Sequence, residues 1–284
     1  VYATHLTNDE YVLGAVVLGA SLLATKTTRP LVALVTNGVS EAGRRSLRRA
    51  GWALVDVELL GVPDEDTLHS RSYLVKLWLW ALPAHRVIYL DTDTLVLDSL
   101  DELFQDCEGE ALAAVPDSQP HASGELMVQG GLLVLQPCWY HFEEMRRAAD
   151  TERPKRLDEW SWHDQEFLTA YFDGGVQHGQ NSPFGPGSRP AWKQLPGRFN
   201  FCVRYHLRPL YAGLSPTSAA VLHYATAKPW DPAKRHNVPP AYVQLYLRFA
   251  SGANISWRPI SISADLARDE EDRLKMAKFV ASEK

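Results

Sequence analysis

The chain has 284 residues, 45% of them hydrophobic, which is enough to bury a sizeable core and close to the upper end of what one domain holds. A net charge of -5 with no block of like charge excludes a phosphate-tracking nucleic-acid surface and a charged interaction arm. The three cysteines, Cys107, Cys138 and Cys202, are odd in number and lack metal-ligand spacing, so neither a disulfide framework nor a zinc site is expected. The longest apolar run, Tyr11 to Ala24, is shorter than the roughly 20 residues a bilayer span needs, so no membrane segment is expected. The chain starts at Val1 rather than a methionine, and Val1 to Ala3 already read as core strand. We therefore expect a trimmed sequence, with a cytoplasmic location favoured and a removed targeting or anchor segment compatible with it.

Val1 to Leu6 reads as a first strand. Asn8 and Asp9 then offer capping side chains before an apolar helix through about Leu23. A strand that feeds a helix N-terminus through a polar turn is a ready anion site. Leu31 to Thr36 repeats the strand pattern, Ser40 caps a helix to Ala50, and Ala53 to Val57 is a third strand. Arg44, Arg45, Arg48 and Arg49 fit a solvated face of that helix. Strands alternating with helices predict a parallel sheet. Pro63 to Ser72 is polar and turn-rich, and Tyr73 to Leu82 predicts a helix whose single charge is Lys76. That lysine either snorkels to water or reaches an anionic ligand.

Val87 to Leu90 reads as a buried strand and Thr94 to Leu97 as another, with Asp91 and Asp93 between them. Open α/β sheets bind ligands at such strand ends. In extended chain, residues i and i+2 face the same side, so both carboxylates can address one hard divalent cation. The competing account is an ordinary turn with solvated carboxylates.

Leu100 to Phe104 predicts one helical turn, and Ala111 to Val115 a strand ending at Pro116-Asp117. Gln129-Gly130-Gly131 precedes strand Leu132 to Gln136, where paired glycines suggest a bulge or backbone pressed against a ligand. Cys138 to Ala149 and His163 to Phe172 predict helices. Gly174 to Gly197 is a long Gly/Pro/Ser-rich loop of the kind that binds substrate. Ala219 to Leu222 is a last short strand ending in His223, and Tyr242 to Phe249 and Asp265 to Ala281 predict helices.

In order along the chain stand Thr7-Asn8-Asp9-Glu10-Tyr11 with Gly14 and V-L-G-A-S-L, Val75-Lys76-Leu77-Trp78, Y-L-D-T-D-T-L-V-L, Ala114-Val115-Pro116-Asp117, Gly131-Leu132-Leu133-Val134 with Gln136-Pro137, Asp164-Gln165, and His223-Tyr224 with Lys228-Pro229-Trp230. Together they resemble glycosyltransferase family 8, the glycogenin and galactinol synthase group. The resemblance implies a single-domain GT-A fold, α/β with a Rossmann-like, mainly parallel central sheet flanked by helices. The domain is expected over 1–250, with 251–284 a peripheral, helical C-terminal segment.

The resemblance also implies a UDP-sugar donor and Mn²⁺, with Mg²⁺ as the alternative, held by Asp91, Asp93 and His223. One imidazole among carboxylates favours Mn²⁺. His223 without the motif would read as a core histidine, and Lys228 as a surface residue in a Pro-flanked turn. Within the family pattern Lys228 contacts the diphosphate. Ala3, Thr4, His5, Thr7, Asn8 and Tyr11 hold uracil and ribose, with Thr92 adjoining. Lys76 and Asp117 lie near the donor, Gln129 and Gly131 line the sugar pocket, and Asp164 with Gln165 faces the sugar. The implied reaction moves a hexose, glucose or galactose, to an acceptor hydroxyl of a glycan, polyol or protein with retention. A homodimer is a further expectation.

Three departures stand out. Gln129-Gly130-Gly131 replaces the family's Asn-Ser/Ala-Gly. The His223 to Lys228 spacing is one residue tighter than in glycogenins. Tyr205 falls two residues short of the self-acceptor register, which Leu207 occupies, so self-glucosylation is not expected. The rival functions are a UDP-sugar hydrolase and a non-catalytic UDP-sugar-binding protein. A dinucleotide dehydrogenase is set aside, because the first strand-helix turn lacks G-x-G-x-x-G.

Overall fold

A computed structural model describes residues 1–61, 72–117, 126–150, 164–172, 190–205, 209–214, 218–225, 228–232 and 238–251. Two expected elements, the Pro63–Ser72 turn segment nearly to its end and the Asp265–Ala281 helix, lie outside them, as does most of the Gly174–Gly197 loop.

The expected β-α-β-α-β start is observed. Strand β1 (Tyr2–Leu6) leads through a 3-10 turn (Asp9–Tyr11) into helix α1 (Val12–Ala24), then β2 (Leu31–Val35), α2 (Glu41–Arg49) and β3 (Trp52–Asp56). Ser40 Oγ accepts from the Gly43 N–H at 3.1 Å and caps α2 as expected, whereas the Asn8 side chain, accepting from the Glu10 N–H at 2.9 Å, caps the 3-10 turn and leaves α1 to start after Tyr11 without a side-chain cap. The basic cluster on α2 differs from expectation at one position. Arg44 is buried, donates to the carbonyls of Thr36 and Val39 and pairs with Asp56 at 2.6 Å, tying α2 to β3.

The chain then crosses to the other side of β1. The helix expected over Tyr73 to Leu82 is observed, wound as a tighter 3-10 coil over Val75–Ala81, and Leu82, held extended before Pro83, ends it. After it come β4 (Val87–Leu90), β5 (Thr94–Val96), the short α3 (Leu103–Asp106), β6 (Leu112–Pro116) and β7 (Val128–Leu135). Helices α4 (Trp139–Asp150) and α5 (Asp164–Tyr171) follow. Two strands were not foreseen: β8 (Lys193–Gln194) and β9 (Phe201–Cys202) carry too few residues to show a period of two. Between them lies a 3-10 turn, Gly197–Asn200; β10 (Val221–His223) and α6 (Pro240–Ala250) complete the order.

The large sheet runs β3-β2-β1-β4-β7-β6-β8, and a small sheet runs β5-β10-β9. In the large sheet β3, β2, β1 and β4 are mutually parallel, β7 is antiparallel to both its neighbours, and β8 is parallel to β6. This is the mainly parallel α/β sheet expected. Both its faces are buried, and alternate residues of one strand enter opposite cores. Ile88 and Leu90 pack with Leu18, Leu22 and Trp52, while Val87 and Tyr89 pack with Phe142, Met145, Leu168 and Tyr171. A third core joins the small sheet to α6 through Leu95, Leu222, Tyr224 and Tyr246.

Two features set up the site. The strand order reverses between β1 and β4, which opens a crevice at the carboxyl ends of those strands. In addition, β7 is bulged against β6: pairing passes from Ala114 with Leu133 to Pro116 with Val128, so the stretch holding Gln129, Gly130 and Gly131 has no matching length on β6. This is the bulge that the paired glycines suggested.

Gly14 lets α1 approach the turn after β4. A Cβ there would lie 2.5 Å from the Thr92 carbonyl oxygen and 2.9 Å from the Trp230 ring. Because the first obstacle is backbone, Gly14→Ala is expected to destabilise the fold by about 1–3 kcal/mol, the usual cost of overpacking, in urea unfolding. A midpoint equal to wild type would refute the close approach.

Candidate functional site

Asp91 and Asp93 stand at the end of β4, on the turn that carries the chain from the large sheet into β5. From across the small sheet comes the last residue of β10, His223. One ligand atom from each of the three residues lies within 4.8 Å of the others. His223 Nε2 is 3.3 Å from Asp93 Oδ1 and 3.9 Å from Asp91 Oδ2. Two carboxylates and an imidazole form an oxygen-rich donor set with one nitrogen, which fits a hard to borderline divalent cation such as Mn²⁺. Asp93 and His223 are buried, so the set is built rather than incidental.

Each aspartate has its own lysine. Lys228 Nζ pairs with Asp93 Oδ2, and Lys76 Nζ lies 3.1 Å from Asp91 Oδ1 while also bonding Asp164 and, at 3.1 Å, the Gly130 carbonyl. Burial opposes the charge on Asp93, yet Lys228 and His223 outweigh it and hold its carboxyl well below the usual range. Burial likewise works against the Lys76 ammonium, and Asp164 and Asp91 overcome it, raising its pKa. The question left open at Lys76 is thereby answered: it is 3% exposed and faces carboxylates rather than water.

Behind Asp91 a second line of groups extends to β1. The Tyr89 hydroxyl donates to Asp91 Oδ1, and His5 Nδ1 lies 2.8 Å from that hydroxyl, the two rings being stacked at 5.8 Å. Burial, and then the nearby Lys76 charge, push the His5 imidazole down to about 4. Tyr89 was hidden in the sequence because it reads as one more apolar strand residue. Its position two before Asp91 puts both on one face, and that spacing is the signal that was available.

The bulged strand distributes its side chains between two neighbourhoods. A Cβ on Gly130 would meet Asp164 at 2.4 Å and the Lys76 ammonium at 3.0 Å, whereas one on Gly131 would meet the His223 ring at 2.4 Å. The glycines thus leave room for a carboxylate on one side and an imidazole on the other. Gln129 turns toward the His223 side: its Oε1 accepts from the Gly131 N–H at 2.7 Å and from the Asn200 amide, and its Nε2 lies 3.2 Å from His223 Nδ1. On the Asp164 side, Gln165 Oε1 accepts the Gly130 N–H at 2.9 Å while its Nε2 donates to Asp117 at 3.0 Å. Lys76, Asp91, Asp117, Asp164 and Gln165 therefore form one continuous polar wall.

The β1 residues lie at the same crevice with different orientations. Ala3 and the Thr4 hydroxyl are turned into the sheet, Thr4 donating to the Leu90 carbonyl at 2.8 Å. The Thr7 carbonyl accepts from Thr36 at 2.9 Å, and Asn8 serves as a cap. Tyr11 stands edge-on to Trp230, ring centroids 6.5 Å apart, near Lys228. Thr92 is buried between the two aspartates against α1.

Comparisons with known proteins agree with this geometry. The family model described as Glycosyl transferase family 8 matches residues 4–233. The chain is 28% identical over 242 residues to inositol phosphorylceramide glucuronosyltransferase 1 of Arabidopsis thaliana, covering 81% of this chain and 42% of that protein. It is 31% identical over 242 residues to human glycogenin-1, covering 81% of this chain and 62% of that protein. It thus spans about two fifths to two thirds of these relatives' lengths. A galactosyltransferase, LgtC, solved with donor and acceptor sugar analogues, superposes with a TM-score of 0.62 at 21% identity, covering 90% of this chain and 96% of that one. The shared fold is of the GT-A type. Among the described residues no helix is long and apolar enough to cross a membrane.

Removing the buried cation should be costly. Lys76→Met is expected to lower stability by about 3–5 kcal/mol in urea unfolding, because it strands two carboxylates, and Lys76→Met combined with Asp164→Asn should recover part of that loss. A second expectation concerns acid. The His5 imidazole titrates at about 4 in the fold against an ordinary 6.5, so the unfolded chain takes up a proton first as pH falls. Stability is complete above about 6.5 and declines toward pH 4, by on the order of 3 kcal/mol. His5→Gln should flatten that part of the pH-stability curve, and an unchanged slope would contradict the assignment.

Proposed function

The chain belongs to glycosyltransferase family 8, and from that premise we propose that it transfers a hexose, glucose or galactose, from a UDP-sugar to the hydroxyl of an external glycan, polyol or protein acceptor, with retention of configuration and with Mn²⁺. The observation that carries the proposal is the convergence of Asp91, Asp93 and His223 at the strand-order reversal, with a lysine on each aspartate. A divalent cation held by those three residues would supply charge neutralisation for the departing diphosphate.

The residues of the chain have separate tasks in this reading. Lys228, paired with Asp93 and partly exposed, exchanges its carboxylate partner for a phosphate oxygen and stabilises the leaving group as a point charge. Tyr11 stacks on uracil, while the β1 end, from Thr4 and His5 to Thr7 and Asn8, shapes the nucleoside cleft. Asp164, fixed by Lys76, lies beneath the sugar as nucleophile or sugar-binding carboxylate, and Gln165 and Asp117 bond sugar hydroxyls. The wall favours a neutral hexose over a uronate, because Lys76, its lysine, already has Asp91 and Asp164 as carboxylate partners. A donor carboxylate would add another negative group beside Asp164 and Asp117.

Glucuronosyltransferases stand among the relatives, so the test is a UDP-release screen with Mn²⁺ across UDP-glucose, UDP-galactose and UDP-glucuronate, followed by an acceptor panel. We expect release from a neutral UDP-hexose, stimulated by acceptor. Asp91→Ala with Asp93→Ala should lower it on the order of 100-fold or more. Metal-independent activity retained in that double variant would sink the proposal. Release that no acceptor alters would favour a hydrolase, and Mn²⁺-dependent UDP binding without turnover would favour a binding protein.

A further inference from the structure

Neither the cation ligands nor the sugar wall accounts for two buried amides behind His223. Asn200, at the end of the 3-10 turn Gly197–Asn200, is fully buried, and Gln129 is nearly so. Their hydrogen bonds run in one direction. The Gly131 N–H is a backbone donor and cannot turn round, so the Gln129 atom it meets at 2.7 Å is the oxygen. That oxygen also receives the Asn200 amide N–H, which leaves Asn200 Oδ1 facing His223 Nδ1 at 3.0 Å. An oxygen can only accept, so this contact is a hydrogen bond when Nδ1 carries the proton.

We propose that Asn200, pinned by Gln129, is a positioning residue that keeps the proton of His223 on Nδ1 and so presents the Nε2 lone pair to a divalent cation. The chain of fixation starts at a backbone N–H in the bulge of β7 and ends at the ligand atom. Gln129 Nε2, 3.2 Å from the same Nδ1, would bond it only if the proton sat on Nε2. In that form an N–H would point at Asp91 and Asp93, in the cation's place. Asn200 selects against it. Histidine ligands commonly donate their second N–H to an oxygen, and loss of that oxygen weakens metal binding 10–100-fold.

This rests on the reading of Asp91, Asp93 and His223 as a cation site, and the experiment separates the two. Mn²⁺ affinity is measured by electron paramagnetic resonance for wild type, Asn200→Leu and Asn200→Asp. The His223 ring nitrogens of each are followed in the metal-free protein by long-range ¹H–¹⁵N NMR. Asn200→Leu should weaken Mn²⁺ binding 10–100-fold and move the His223 proton to Nε2. Asn200→Asp, which keeps an acceptor against Nδ1 but loses the N–H given to Gln129, should lose clearly less affinity than Asn200→Leu, with Nδ1 protonated. Equal losses in both variants would indicate a merely structural role and overturn the proposal, as would wild-type affinity in Asn200→Leu. If Asn200→Leu does not fold, Gln129→Met decides: it should weaken Mn²⁺ binding in a protein that still unfolds cooperatively, and unaltered binding overturns the assignment. Absence of Mn²⁺ binding by wild type would remove the cation reading, and the NMR comparison would then settle the Asn200 assignment alone.

Discussion

The site depends on one electrostatic constraint: two carboxylates at the end of a buried strand cannot be left unpaired. Asp93 is 6% exposed, and Asp91 sits beside it with limited access to water. Burial of such groups costs several kcal/mol each unless positive charge and hydrogen bonds meet them. The fold meets that need from three directions, with Lys76 from the 3-10 coil, Lys228 from the segment after β10, and His223 from the small sheet. Other features follow from this convergence. The glycines at 130 and 131 keep β7 thin where Asp164 and His223 approach it, and Gly14 allows α1 to close against the turn between the aspartates.

A cluster of this kind is neutralised but poised. Lys76 is fully enclosed and bound by two carboxylates and a carbonyl, so it acts as a fixed part of the framework. Lys228 is more exposed, and among the described residues its carboxylate partner is Asp93. The two lysines look alike in sequence, yet their surroundings differ.

Much of the architecture was legible because it rests on local patterns. The strand-helix alternation through β3, the cap at Ser40, and the isolation of two charges in an apolar run follow from periodicity and side-chain chemistry. What escaped depends on long-range contacts. Arg44 reads as a solvated charge until β2 and β3 surround it with carbonyls and Asp56. β8 and β9 are defined by partners rather than by pattern. In the site, the aspartates announced themselves, and His223 and Lys228 needed an ordered set of motifs. Asn200 and Tyr89 act through neighbours 23 residues away and two residues away respectively, and neither residue type carries a signal of its own in an apolar setting. The bulge of β7 was suggested by paired glycines, but the turn of Gln129 toward His223 required the strand to be seen in place.

The Asp91-Thr92-Asp93 turn has one more property. It is the hinge line where the chain leaves the seven-stranded sheet and enters the three-stranded one, and His223 belongs to the far side of that line. The three ligand atoms therefore report the relative setting of the two sheets. A cation seated among them would act as a rivet across the joint, and the grip of the cleft on its ligand would be coupled to how firmly the small sheet is docked.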